Sequence, residues 1–278
     1  MGTYITVASV RRTCGIGSDQ INDTDVENTI TEVEKQVPRF FNTVFTPTER
    51  IDILDGNGTE RIFTTKGPLL KLKALKIHGT SVTIDGNVLV YKESGKIVLD
   101  NSNGTPEKTV FSDYKNGVVI KYIYGWVEEE GTETETTADA LVGSSVEINV
   151  SDESGFSADD WVEIYGMDGN REVAKVTNTS TGKITVDLLS YSHESGSKIV
   201  KLQTPVLFTK LMNIIAGIAL VARIVGQSYS DITGYTLAEM SVQKGEPYTQ
   251  WRETATQLIR ERDMLMQTIK PRPSITIS

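Results

Sequence analysis

The 278-residue chain has one cysteine and two histidines. Cys14 therefore cannot close an internal disulfide, and no histidine or other partner clusters near it to make a nucleophile. His78 and His193 sit far apart, in segments of different composition, so their spacing supports neither a zinc site nor a Ser-His-Asp arrangement. No run reaches the roughly 20 apolar residues that a bilayer span needs. The most apolar stretch, LMNIIAGIALVA at residues 211–222, is bounded by Lys210 and Arg223 and reads as a buried core helix. The N-terminal MGTYITVASVRRTCGIG lacks the basic start, apolar run and cleavage site of a secretory signal, so the expectation is assembly in a cytoplasm. A phosphate loop and a G-x-S-x-G elbow are missing too, and CGIGSDQ lacks the third glycine and preceding strand of a dinucleotide fingerprint. These gaps remove the sequence signatures of most enzymes, and the chain is read as non-catalytic, with no cofactor and no metal.

What is present is an uneven charge. Residues 127–200 hold 16 Asp and Glu against 4 Lys and Arg, a balance of −12, so the formal net charge of −9 leaves +3 for the remainder. A chain with two compositions implies two structural parts, and the acidic part is unsuited to gripping nucleic acid.

Periodicity supports the division. YITVASVRRTCGI holds a short helix. NDTDVENTITEVEKQVPRFFNTVF holds a longer one, capped by Asp23 or Thr24, with Val26, Ile30, Val33, Val37, Phe40, Phe41 and Val44 recurring on one stripe and Pro38 expected to kink it or split off its last turn. From Arg50 the period becomes two: ERIDILDG, TERIFTTKG, LLKLKALKIHG, TSVTIDG, NVLVYKE, KIVLD and GVVIKYIYGW read as strands of one compact antiparallel sheet. VEEEGTETETTADALVGSS, rich in Glu and Thr, reads as a solvated linker. SVEINV, DWVEIYG, REVAKVTN, KITVDLLS and SKIVKL then read as a small barrel or sandwich. A helix from Pro205 closes at Gly226, and a last helix begins near Pro247 with Trp251, Ala255, Leu258, Leu265 and Ile269 on one stripe. KPRPSITIS ends the sequence, with Pro271 and Pro273 barring a helix and SITIS suited to a strand.

The triplet Asp-Gly-Asn occurs at residues 55–57, 85–87 and 168–170. Counted from Asp55, the sixth position is Glu60 where a calcium loop needs Gly, and the twelfth is Thr65 where it needs Glu, so the triplets are read as hairpin turns.

The series DGNGTERIFTTKGPLLKLKALKIHGTSVTIDG resembles the sheet region of the head-tail connector (adaptor) proteins of long-tailed phages. The resemblance rests on Asp55, Gly56, Gly58, Thr59, Pro68, Leu69 and Asp85-Gly86 in that order. NGVVIKYIYGW is similar to a family strand that normally runs straight into a Pro and an apolar helix; here that helix resumes only at TPVLFTKLMNIIAGIALVA. DITGYTLAEMS is similar to the family's loop before its final helix. The resemblance implies an α+β fold: a helical connector core with a small antiparallel sheet (residues 1–126 and 203–278) and an inserted all-β barrel or sandwich module (residues 127–202). It implies a virion protein at the head-tail junction, a homo-oligomer expected as a dodecameric ring beneath the portal protein. That ring would extend the channel through which viral DNA passes without sequence-specific binding, and would dock a head-closure or tail protein, with no membrane involved. Portal contact would fall to Trp251, Leu258, Leu265, Ile269, Pro271, Pro273, Ile275 and Ile277.

Two rival classes are weighed against this. One is a secreted or surface β-rich carbohydrate-binding or hydrolytic protein, with Trp126, Trp161, Tyr165 and Tyr191 as stacking platforms. The other is a DNA-binding regulator using ASVRRTC, whose two arginines are too few for a recognition surface.

Overall fold

A computed structural model of the chain describes residues 4–84, 88–100, 109–167, 169–230 and 246–269. The chain divides into two compact units, Met1–Phe41 with Pro205–Ser278, and Asn42–Thr204.

The first unit is helical. α1 (Val7–Cys14) starts at Thr6, whose side chain accepts from the Ser9 amide while the Ser9 hydroxyl accepts from the Thr6 amide, so two orphan donors are satisfied reciprocally. It ends at Gly15 in the left-handed region, φ 69°. α2 (Asp23–Phe40) is capped by Asn22, just before the expected Asp23 or Thr24, and buries Val26, Ile30, Val33 and Val37, whereas Phe40 of the expected stripe is 67% exposed and Phe41 and Val44 lie beyond the helix. Pro38 does not split it. The proline lies in the last turn, where its missing N–H leaves the rest of the ladder intact, and the helix runs on to Phe40. α3 (Val206–Ser230) passes through Gly226, which was expected to close it, and packs against α1, α2 and α4 (Glu246–Thr268). Phe208, Leu211, Met212, Ile214, Leu220 and Val221 of α3 are buried. Gly217 marks the tightest approach: a Cβ there would stand 3.2 Å from the Cys14 Cβ and 3.4 Å from Leu258 Cδ1. Over Val206–Ile224 this helix is long and apolar enough to cross a bilayer, by length and composition alone. The apolar window is therefore longer than residues 211–222 suggest. Half of it is buried inside the protein.

The second unit is all β. β1 (Thr48–Leu54), β7 (Val118–Tyr124), β3 (Leu69–Ile77) and β4 (Thr80–Val82) form one antiparallel sheet in the order β1-β7-β3-β4. β2 (Arg61–Phe63), β6 (Lys96–Leu99) and β5 (Val88–Tyr91) form another, in the order β2-β6-β5. Leu69, Leu72, Leu75, Ile120 and Tyr122 of the first sheet share a core with Ile62, Val88, Ile97 and Leu99 of the second. The expected single sheet is thus two, because Asp55–Thr59 leads away from the strand it follows.

β8 (Glu128–Glu135), β13 (Lys198–Gln203), β10 (Trp161–Tyr165), β11 (Arg171–Ser180), β12 (Lys183–Leu189) and β9 (Gly143–Asn149) form a six-stranded antiparallel sheet in that order. Its two edges meet through a bridge between Thr136 and Val150, which curls it towards a barrel around Ile148, Val162, Ile164, Val176, Ile184 and Val186. The Glu- and Thr-rich segment expected as a linker is its edge strand β8. β-branched threonines favour the strand, Thr134 and Thr136 are buried, and the outward glutamates pair with basic residues of β13: Glu133 with Lys198 at 3.1 Å and Glu130 with Lys201 at 3.5 Å.

The fold class read from the sequence is therefore corrected. Among the described residues there are thirteen strands in three antiparallel sheets and four helices, so the protein is predominantly β and not a helical connector core with a small sheet. The strands themselves were read from their alternation; the error lay in following the resemblance, which made them a small sheet on a helical core.

Candidate functional site

The Asp55–Thr59 loop is not a hairpin. β1 before it pairs with β7 and β2 after it pairs with β6, so the loop carries the chain from one sheet to the other. It is tied to residues 111–116: the Gly56 amide donates to Tyr114 O at 2.9 Å, the Asn57 and Gly58 amides to Phe111 O, and the Asn116 amide to Asp55 Oδ1 at 2.7 Å. A Cβ on Gly56 would stand 1.7 Å from Ser112 O, so only glycine allows this approach. The Asp55 carboxylate therefore serves as an acceptor for a backbone amide. The second copy of the triplet, at 85–87, and Asp168 of the third lie outside the described residues.

Among the described residues of the all-β unit three carboxylates are buried, each among several donors. Asp52 accepts from the Thr65 amide and hydroxyl, from Tyr122 Oη at 2.8 Å and from Arg50 Nε at 2.7 Å. Burial pushes its pKa up, but these donors together hold it below the ordinary value, while burial and the facing Asp52 push Tyr122 well above the usual phenol range. Glu163 receives both Nε and Nη2 of Arg171, at 2.6 and 2.7 Å, and Lys92 Nζ at 3.3 Å. Burial is again outweighed and its pKa lies low.

Glu172 is the most enclosed. Its carboxylate accepts from the Ser190 and Tyr191 amides, faces His193 Nε2 at 3.1 Å and pairs with Lys71 Nζ at 2.7 Å. The Lys71 and Glu172 side chains are 4% and 1% exposed. Lys71 also donates to Leu188 O at 2.8 Å. Burial raises the Glu172 pKa, and the His193 contact, the Lys71 charge and the amides more than offset it, leaving the group ionised below the usual carboxylate range. Lys71 belongs to β3 and Glu172 to β11, so this pair joins the four-stranded sheet to the six-stranded one. Lys73 to Asp187 at 3.7 Å and Lys92 to Glu163 run the same way, from lysines outside the acidic segment to acids within it. The charge asymmetry of the sequence is thus partly an internal docking arrangement. Chemically, these carboxylates are fixed anions.

No family model matches the chain, and no curated protein matches its sequence.

The residues predicted for portal contact separate into two sets. On α4, Leu258 and Ile269 are buried and Trp251 and Leu265 are half-buried, so the stripe found by helical spacing is largely the inward face of that helix. The outward side carries Ile259, Met264 and a shallow depression lined by Arg252, Glu253, Thr256, Gln257 and Arg260. Pro271, Pro273, Ile275 and Ile277 lie outside the described residues. The aromatic residues of the carbohydrate reading, Trp126, Trp161, Tyr165 and Tyr191, are all half-buried, and the Arg171 guanidinium lies 5.1 Å from the centre of the Tyr165 ring. Among the described residues no group of three or more His, Cys, Asp or Glu is placed to hold a metal ion.

Sequence reasoning missed the Lys71–Glu172–His193 cluster. A lysine within LLKLKALK looks like a solvent-facing residue of an alternating strand, and only the neighbouring sheet makes it interior. Its one sequence trace is a glutamate in REVAKV at the inward phase of a strand.

Proposed function

We propose that the protein is a structural virion component that forms a ring beneath the portal of a tailed virus, extends the DNA channel and links the head to closure or tail proteins. The observation that carries this reading is the clustering of the resemblance. DGNGT follows β1, PLLKLKALKIHG supplies β3, and NGVVIKYIYGW supplies β7, the strand hydrogen-bonded to both. Two motif strands that are separate in sequence, β3 and β7, are thus neighbours in one sheet, and DGNGT leads out of the strand on the other side of β7. Further support comes from apolar side chains left on the surface, among them Ile51, Ile53, Leu141 and Val142, since a subunit of a permanent assembly keeps such residues for its neighbours. The buried Lys71–Glu172 pair suits a mechanical part, because it fixes how the acidic module stands on the sheet.

The test is particle size in solution by light scattering, alone and with the portal protein of the same virus. A ring, or a stable complex with the portal, supports the reading. A chain that stays monomeric at every concentration and never binds the portal refutes it.

A further inference from the structure

The four-stranded sheet has one apolar face and one mixed face, on which isoleucines stand among lysines and Glu49. One face covers the core shared with β2, β5 and β6. On the other, the register sets Ile51 and Ile53 of β1 opposite Lys121 and Val119 of β7, and these opposite Ala74 and Lys76 of β3. The acidic module covers this outer face at one end, over Lys71 and the buried Ile123. At the other end Ile51 is 57% and Ile53 62% exposed. β1 is an edge strand that turns Asp52 inward and its isoleucines outward, so its outer face offers an apolar strip to a side-chain contact while the inward charge guards its backbone edge.

A second apolar patch lies on the rim of the six-stranded module. The 136–142 segment, the 166–170 turn and the 190–197 loop all emerge at the same end of its strands. They are fastened together: Ala140 and His193 exchange backbone hydrogen bonds at 2.7 and 2.8 Å, Asn170 Nδ2 donates to Ser192 O at 3.4 Å, and the Ser195 amide donates to Asp139 Oδ1 at 2.9 Å. This rim presents Leu141, Val142 and Met167, the last 97% exposed, beside the exposed acids Asp139 and Glu194.

We infer that these two patches are the two sides of one contact between copies of the chain: the module rim of one copy docks on the Ile51/Ile53 strip of the next. Charge selects this pairing. Rim against rim would oppose two segments of −12, whereas rim against sheet sets Asp139 and Glu194 near Lys76, and near Lys121 where it pairs with Glu49 of its own chain at 2.9 Å, on a remainder of +3. Two different patches meeting head to tail make a heterologous contact, which closes into a ring when the rotation between copies allows. The inference rests on the ring reading and adds its interface.

The test uses the full-length chain in three forms: wild type, Ile51→Glu with Ile53→Glu, and Leu141→Asp with Met167→Asp. Circular dichroism checks folding, and Ile51→Thr with Ile53→Thr, which keeps strand propensity, replaces the first variant if it unfolds. In sedimentation velocity the wild type is expected to assemble and each variant to run as a monomer. An equimolar mixture of the two variants is expected to give a 1:1 heterodimer, because each supplies the patch the other lacks. If the wild type assembles while either variant assembles equally well, or the mixture stays monomeric, the contact is wrong and the ring reading stands. A wild type that is monomeric throughout, with and without the portal protein, refutes both.

Discussion

Replacing Lys71 with methionine removes the cation from the most enclosed ion pair while keeping the length of the side chain. Glu172 would retain the two amides and His193, but its negative charge would stay buried without the lysine, and Leu188 O would lose its donor. Breaking a pair this enclosed costs about 3–5 kcal/mol. A folded unit of 150–250 residues loses roughly 2–4 °C per kcal/mol, so the melting temperature of the all-β unit should fall by about 6–20 °C. Differential scanning calorimetry of wild type, Lys71→Met, Glu172→Gln and the double variant checks the magnitude and its origin. With a neutral glutamine at 172 the missing lysine matters less, so the double variant should be more stable than the two single losses predict by at least about 1 kcal/mol. Additive losses, or a Lys71→Met shift under about 2 °C, would refute the view that this pair joins the sheets.

Acid should weaken the same unit. Asp52, Glu163 and Glu172 all have lowered folded pKa values, so their stabilisation is complete above the unfolded carboxylate values of 3.8 and 4.5 and is lost as pH falls through the folded ones. Melting temperature against pH should be flat near neutrality and drop below about pH 4.5, with a shallower drop in Glu172→Gln; equal slopes would count against the assignment. Gly56→Ala forces a Cβ into Ser112 O and should cost about 2–4 kcal/mol in urea unfolding, whereas alanine at Gly169, which has nothing within 4 Å, should cost only the roughly 1 kcal/mol of its left-handed backbone. Gly217→Leu should loosen the helical unit by wedging α3 from Cys14 and Leu258, seen as faster amide exchange in α1; unchanged exchange would argue against that packing.

The strands between Arg50 and Trp126 were legible because their alternation and turn residues are strong local signals. Their division into two sheets was not, since nothing in DGNGT distinguishes a hairpin from a crossing; that depends on the distant Phe111 and Tyr114 carbonyls. β8 was misread for a related reason. Its glutamates carry the composition of a solvated tract, while the inward Thr134 and the pairing to β13 that make it a strand are supplied by residues more than sixty positions away. On α4 the spacing found the apolar stripe correctly, but a stripe does not reveal whether it meets its own unit or a partner. The exposed Ile51 and Ile53 were visible as residues of a strand, and only the register with β7 shows that they face outward with Asp52 turned in.

We propose this chain as a building unit of a ring around a DNA channel. Electron microscopy of the purified full-length protein, alone and mixed with the portal protein of its virus, tests it most directly. Closed rings with an open axial channel are expected, or such rings capping the portal, with about a dozen copies each. Single particles of one chain under both conditions, or open filaments that never close, would contradict it.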